Sequence, residues 1–471
     1  VDRIDDCGDA PRTMTTDDGT STTPRMGLRT AHLFLLLPWI AVGVAALRPI
    51  RDNSFLWHVR AGTLQLDRGE VLRQDPFSFT FGGEPWRTQS WLIDLLYGHL
   101  ERTFGPGLGW VPWMNLIVFA TAMALVGALA WRWAQSVPAT VIALFATAWL
   151  AIPYVNPRPV AFSFVAVTAL ALAIDRRLRW AIPLIIWVWA AAHGSFVMGI
   201  GLVVLVGLQR RDRAAVRDAV ASVVAASLTA HGLASWGILA SFSGSREALS
   251  LIVEWQPPNL TEIPVVPYAG LIALMLVGAA RGALRQNELW VVVPFLLFGL
   301  TSSRAIIVAT LVLAPYAARI LADLLPIGGL ARSGKPPVVV IGAVGTIMLV
   351  LPLLISPEPG GLDDERFPVA AAPALDPVPT FHGDADGGYL IYAEWPELEV
   401  FVDDRAELYG GDFFHALVDT RGAAPGWEDV MDEWGIEQVL ISSESPLAGA
   451  LEVDAAWEQT YADDRFAIYR R

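Results

Sequence analysis

Long apolar runs separated by short connections fill most of residues 29–356. A helix needs ~20 apolar residues to cross the hydrocarbon core, and fewer where neighbours half-bury it. On that measure the pattern predicts about eleven spans, near 29–48, 109–131, 138–153, 159–174, 181–192, 195–208, 215–231, 265–280, 288–300, 304–322 and 337–356. The pair flanking "AHGS" reads equally well as one kinked helix. The first run has no small-residue cleavage site and more spans follow it, so it is expected to be a retained helix rather than a signal peptide.

The polar pattern changes at both ends. Residues 1–27 are rich in Thr and Asp without periodicity, which predicts a disordered tail, with translation starting at Met14 or Met26. Beyond the Pro-rich linker "SPEPGGLDDERFP", the β-type runs "GGYLIYAEW", "LEVFVDD", "EQVLIS" and "RFAIYRR" alternate with helical patterns around 412–420, 425–434 and 445–452. Residues 357–471 therefore read as a small soluble α/β domain, after a transmembrane domain spanning 28–356.

Composition agrees with this division. Of the 471 residues 54% are hydrophobic and only 17% charged, too apolar for an ordinary soluble protein. Residues 357–471 carry 26 acidic side chains against 6 arginines, a net of −20, which leaves +6 of the total −14 for the rest. Arginines gather in "DRRLRW", "QRRDRAAVRD", "RGALRQN" and "ARSGK", on alternate connections. Because basic residues are retained on the cytoplasmic side, the expected topology is N-in/C-out. The chain is then a multi-pass protein of the inner (plasma) membrane, with its C-terminal domain extracytoplasmic. The opposite side receives the first outer loop (49–108), the turns "YVNPRP", "AHGS" and "TSSR", and the segment 231–264. The single cysteine, Cys7, excludes an intramolecular disulfide and a cysteine metal cluster.

The unusual polar residues fall on that outer side. After "RPIRD", residues 54–70 can form an amphipathic surface helix carrying Trp57 and His58. Asp52, just past the first span, is placed either to act as a general base or only to pair with Arg51 or cap that helix through the amides of its first turn. Asp75 precedes Pro76, which fits a second candidate base or a turn residue; His58 fits an acid–base group or a hydrogen-bonded surface histidine. Arg158, His193, His231, Glu254 and Arg304 lie at the outer ends of spans, where buried polar groups need a partner or a pathway. They suit either a phosphate-binding site or a set of interfacial anchors. In "VFVDDRAELYGG", Asp403, Asp404 and Arg405 are read as an internal ion pair in preference to a metal site. No nucleotide fingerprint, nucleophile elbow or zinc signature is present, and the sequence indicates neither a metal nor a nucleic-acid partner.

The ordered motifs "Asp52…Trp57-His58…Gly62", "Asp75-Pro76-Phe77-Ser78", "Trp86…Trp91", "HGSF", "EWQPP", a serine–arginine turn and "GGYLIY…VFVDDRAELYGG" resemble a family of bacterial polytopic membrane proteins similar to the GT-C glycosyltransferases. The resemblance covers about 30–471. It implies an α-helical membrane fold with an outer domain, a polyprenyl-phosphate-linked sugar donor, and a reactive aspartate just after the first span, at Asp52. Two departures from the protein-mannosyltransferase pattern stand out: Asn53 follows Asp52 in place of a second acid, and His231 stands where Asn-Pro is usual.

Two readings follow. In one, a membrane glycosyltransferase moves a sugar to a glycan, lipid or protein acceptor in the envelope. In the other, a non-catalytic transporter or scaffold binds an envelope partner through its acidic domain. A transporter calls for charges near the midplane and repeat symmetry. The polar residues instead sit at the outer ends of spans. Convergence of Asp52, His193 and Arg304 would favour the enzyme, and dispersal the scaffold.

Overall fold

The computed structural model describes residues 37–237, 256–325, 350 and 361–471. The expected tail, the span at 337–356 apart from residue 350, and Glu254 lie outside the described residues. Helices occupy the predicted apolar runs: α1 (Leu37–Ala46), α4 (Val111–Ala134), α5 (Val137–Ala151), α6 (Val160–Asp175), α7 (Ala181–Ala192), α8 (Phe196–Arg210), α9 (Ala214–Ala226), α10 (Val266–Ala280), α11 (Leu289–Gly299) and α12 (Ala305–Leu324). Among the described residues three helical segments are long and apolar enough to cross a membrane: Val111–Ala134, Val137–Tyr154 and Ala305–Leu324. Four shorter apolar helices, α6, α7, α8 and α10, accompany them. The α12 helix is the most enclosed, whereas Ile117, Leu276 and Trp290 on surrounding helices expose large apolar side chains. That outward apolarity is what a hydrocarbon solvent selects.

His193 separates α7 from α8 with an extended backbone (φ −167°, ψ 144°), so "AHGS" is a turn between two helices and not a kink in one.

The segment 49–108 supplies two helices, α2 (Asn53–Arg68) and α3 (Trp91–Phe104), that cross at glycine. A Cβ on Gly62 would overlap the Asp94 backbone, and one on Gly98 would overlap Gly62. The close approach brings the side chains of His58 and Asp94 together.

The C-terminal domain contains β1 (Thr380–Phe381), α13 (Asp384–Ala393), α14 (Ala406–Arg421), α15 (Trp427–Glu433), β2 (Gln438–Ser442), α16 (Pro446–Val453), β3 (Glu458–Ala462) and β4 (Phe466–Arg470). The sheet order is β1-β2-β4-β3, with β1 parallel to β2 and the other pairs antiparallel. Two expected strands are absent. "GGYLIYAEW" forms most of α13, because Gly387 and Gly388 let that helix lie against the backbones of Val402 and Asn53. "LEVFVDD" is irregular apart from one bridge, Val400 to Ser78. That bridge and the Ile50–Leu362 bridge tie the segment 49–108 to the C-terminal part of the chain. A continuous apolar core runs from the bundle through α2 and α3 to α13, and a second lies between the sheet and α14–α16.

Candidate functional site

Asp52 caps α2: its Oδ1 accepts from the Phe55 amide at 3.1 Å. Its other oxygen accepts from Arg158 Nε, so the carboxylate serves both as helix cap and as arginine partner. Arg158 stands in the "YVNPRP" turn before α6, its amide held at 3.3 Å by Asn156 Oδ1. The pair is not sealed, since the Arg158 side chain remains 24% exposed and that of Asp52 7%.

Helical spacing sets Ser54, Trp57 and His58 on one face of α2. Ser54 Oγ donates to Asp404 Oδ2, and Trp57 Nε1 donates to Asp404 Oδ1 at 2.8 Å. Burial raises the Asp404 pKa, which the Arg158 charge opposes and the Asp52 charge reinforces. A C-terminal-domain carboxylate thus lies within the field of the Asp52–Arg158 pair.

The Trp57 ring stacks on His58 at 3.6 Å between centroids. His58 Nδ1 lies 2.6 Å from Oδ1 of Asp94, which is fully buried on α3. Thr88 Oγ1 donates to the other Asp94 oxygen at 2.5 Å, and the Thr88 carbonyl lies 2.7 Å from His231 Nε2. A carboxylate at Nδ1 fixes the ring orientation and directs the other nitrogen, Nε2, away from Asp94. Burial lowers the His231 pKa, as do the Arg87 and Arg73 charges.

His193 Nδ1 accepts from the Ser195 amide at 3.1 Å, so that nitrogen is unprotonated. Ser195 Oγ also lies 2.9 Å from His193 Nδ1 and donates to Ser163 Oγ at 2.9 Å. Burial, with the Arg304 and His58 charges nearby, pushes the His193 pKa down to about 3. Arg304 is the residue from which α12 starts.

Direct contacts thus pair Asp52 with Arg158 and join Trp57 and His58 through Asp94 and Thr88 to His231, while His193 meets Ser195 and is reached by the charges of His58 and Arg304. Asp75 is placed differently. Its oxygens accept from the Phe77 and Ser78 amides at 3.1 Å, from Ser78 Oγ at 2.5 Å and from Arg405 Nη1 at 2.7 Å. Arg405 also forks onto Asp403 at 2.7 and 2.5 Å, and Tyr409 OH donates to Asp403 at 2.9 Å. The Asp75, Asp403 and Arg405 side chains have no solvent exposure. Arg405 also lies 4.5 Å from the Trp86 ring centroid, a cation–π geometry. The expected internal ion pair of "VDDR" is thus Asp403–Arg405, while its neighbour Asp404 turns to α2.

Sequence reasoning passed over Asp94 and Thr88. An acid inside the apolar face "WLIDLLYG" was the available signal, since such a residue needs a buried partner. Among the described residues no three His, Cys, Asp or Glu converge to hold a metal ion.

No protein-family model matches the chain, and no curated protein matches it. Among solved structures it is similar to ArnT from Cupriavidus metallidurans in the apo state, with TM-score 0.56 and 16% identity over 93% of this chain and 97% of that one. The likeness covers nearly the whole of both chains and shows an ArnT-like fold.

Proposed function

We propose that the protein is an integral-membrane glycosyltransferase that moves a sugar from a polyprenyl-phosphate donor to an envelope acceptor on the outer membrane face. The reading includes about eleven spans, an N-in/C-out topology and an extracytoplasmic C-terminal domain. One observation carries it: a carboxylate–arginine pair with residual access joins separate segments of the chain, in a GT-C-like fold.

In the reaction the acceptor hydroxyl oxygen bonds to the sugar's anomeric carbon as the bond from that carbon to the phosphate oxygen breaks. Asp52 takes the hydroxyl proton, and the polyprenyl phosphate leaves with the bonding electrons. Arg158 now holds Asp52; an arriving phosphate competes for its guanidinium and releases one carboxylate oxygen to act as base. Arg304, whose charge reaches His193, adds positive charge where the leaving phosphate forms. His58, oriented by Asp94, positions the acceptor, with Trp57 as the apolar wall behind it. Asp75 has the surroundings of a structural carboxylate, so the base is assigned to Asp52.

The test is Asp52→Asn, assayed with a polyprenyl-phosphate sugar in proteoliposomes and by mass spectrometry of envelope glycans and glycolipids. Transfer should fall by about 10²–10⁴-fold, the usual contribution of a general base. Full activity in the variant would overturn the assignment.

A further inference from the structure

At the end of α7 away from His193, the α6–α7 and α8–α9 turns enclose a cleft of about 330 Å³. Its lining includes Arg177, Arg179, Arg210 and Arg211 against Asp212 and Asp218. Arg179 donates to both aspartates and Arg217 stands 3.4 Å from Asp218, so two arginines match the two acids. Arg210 donates to the Ile174 carbonyl at 2.9 Å and stands 3.8 Å from Asp175, which Arg132 already holds at 2.7 Å. Arg177 and Arg211 form no ion pair among the described residues. Both adopt the left-handed backbone (φ 57° and 52°), a conformation that costs an L residue energy and that glycine would adopt freely. The turns thus hold arginine, at some cost, where a smaller residue would ease the backbone.

Next to the lining residues in the chain, Trp180 is 71% and Val216 69% exposed, and Leu178 and Leu208 are also exposed. A cationic cleft whose lining residues have exposed apolar neighbours along the chain matches an amphiphile with an anionic head. A free anion would gain nothing from those neighbours.

We propose that this cleft binds the phosphate headgroup of an anionic phospholipid, with Arg177 and Arg211 contacting the phosphate and the apolar neighbours receiving the acyl chains. A volume of this size suits a headgroup, and basic pockets between membrane helices are suited to such lipids. The site lies at the opposite end of α7 from His193, and its occupancy does not depend on the transferase reading.

The full-length protein in a neutral detergent is titrated with phosphatidylglycerol, cardiolipin, phosphatidylcholine or inorganic phosphate, with binding read by native mass spectrometry and thermal unfolding. The anionic lipids should bind and raise Tm, and phosphatidylcholine should not. The double variant Arg177→Gln/Arg211→Gln should bind them about 10–30-fold more weakly, on the order of two surface arginine–lipid attractions. Arg281→Gln, at a different turn, controls for general surface charge and should leave binding unchanged. The lysine pair Arg177→Lys/Arg211→Lys should retain most of the binding, which tests the site even if the glutamine pair folds poorly. Equal binding of phosphatidylcholine, equal loss in Arg281→Gln, loss in the lysine pair, or full stabilisation by inorganic phosphate alone would each overturn the proposal.

Discussion

Two carboxylate–arginine groups anchor residues of the segment 49–108, one to the turn before α6 and one to the C-terminal domain, and they differ in access. In Asp75–Arg405–Asp403 all three side chains are sealed, and the arginine is satisfied by two acids and by aromatic faces. In Asp52–Arg158 the arginine remains 24% exposed, and Asp404 nearby bonds only through neutral donors from α2. The sealed group behaves as a clasp, because removing one member strands another charge in low dielectric. The open group can exchange partners, which is what binding a phosphate and releasing a base require.

The largest effect should come from breaking the clasp. Arg405→Ala leaves Asp75 and Asp403 buried without their counter-charge and should cost about 3–5 kcal/mol, measured by denaturant unfolding. Arg405→Lys should recover only part of this, since an ammonium cannot reproduce the fork onto Asp403. If both variants unfold like the wild type, the clasp is not structural.

Next comes the response to acid. His193 is held neutral with a pKa of about 3, whereas an unfolded histidine titrates near its ordinary 6.5. Between those values the unfolded chain binds more protons, so this histidine's contribution is present above pH 6.5 and is lost as the pH falls toward 3. Asp386 acts with the opposite sign: burial raises its pKa to about 7, so its contribution is greatest below 3.8 and is lost as the pH rises through 7. Asp404, also raised, acts in the same sense as Asp386. His193→Asn keeps an acceptor for the Ser195 amide and isolates the histidine's share. Its Tm relative to wild type should rise as the pH is lowered from 7 to 4. A flat difference would show that His193 is not held neutral.

Arg158→Ala should cost less, about 0–1 kcal/mol, because the pair is partly open and Asp52 keeps its bond to the Phe55 amide. A loss as large as that of Arg405→Ala would erase the distinction between the two groups.

Much of this arrangement was legible in the residues. Hydrophobic runs located the helices closely, with α7 at the predicted bounds, because apolar length is a strong local signal. Asp52 was read as base, as cap or as partner of Arg51; it caps α2, but its arginine is Arg158, while Arg51 pairs with Asp363 at 2.8 Å, and its role as base rests on the proposal. The failures were tertiary. "GGYLIY" has a strand's composition, but its glycines are where α13 meets other backbones, and that close contact favours helix. The sheet strand β1 has only two residues and β3 is mostly exposed, so neither leaves a hydrophobic alternation to read. Asp403 and Asp404 are adjacent acids beside the same arginine; which of them Arg405 takes is decided by α2, which only the folded chain brings to Asp404.

The smallest stability effect belongs to the residue proposed to do the chemistry. Asn caps a helix about as well as Asp, so Asp52→Asn should preserve the bond from the Phe55 amide. What it loses is a charged pairing to a partly exposed arginine, and the net change in unfolding free energy should stay within about 1 kcal/mol. Asp75→Asn, measured alongside, removes charge from a sealed position facing Arg405 and should cost several times more, about 3 kcal/mol or above. Transfer activity and stability should therefore separate at Asp52 and fall together at Asp75. If Asp52→Asn destabilises the protein as much as Asp75→Asn does, Asp52 is a second structural clasp, and the base must be sought among Asp404 and the His58–Asp94 pair.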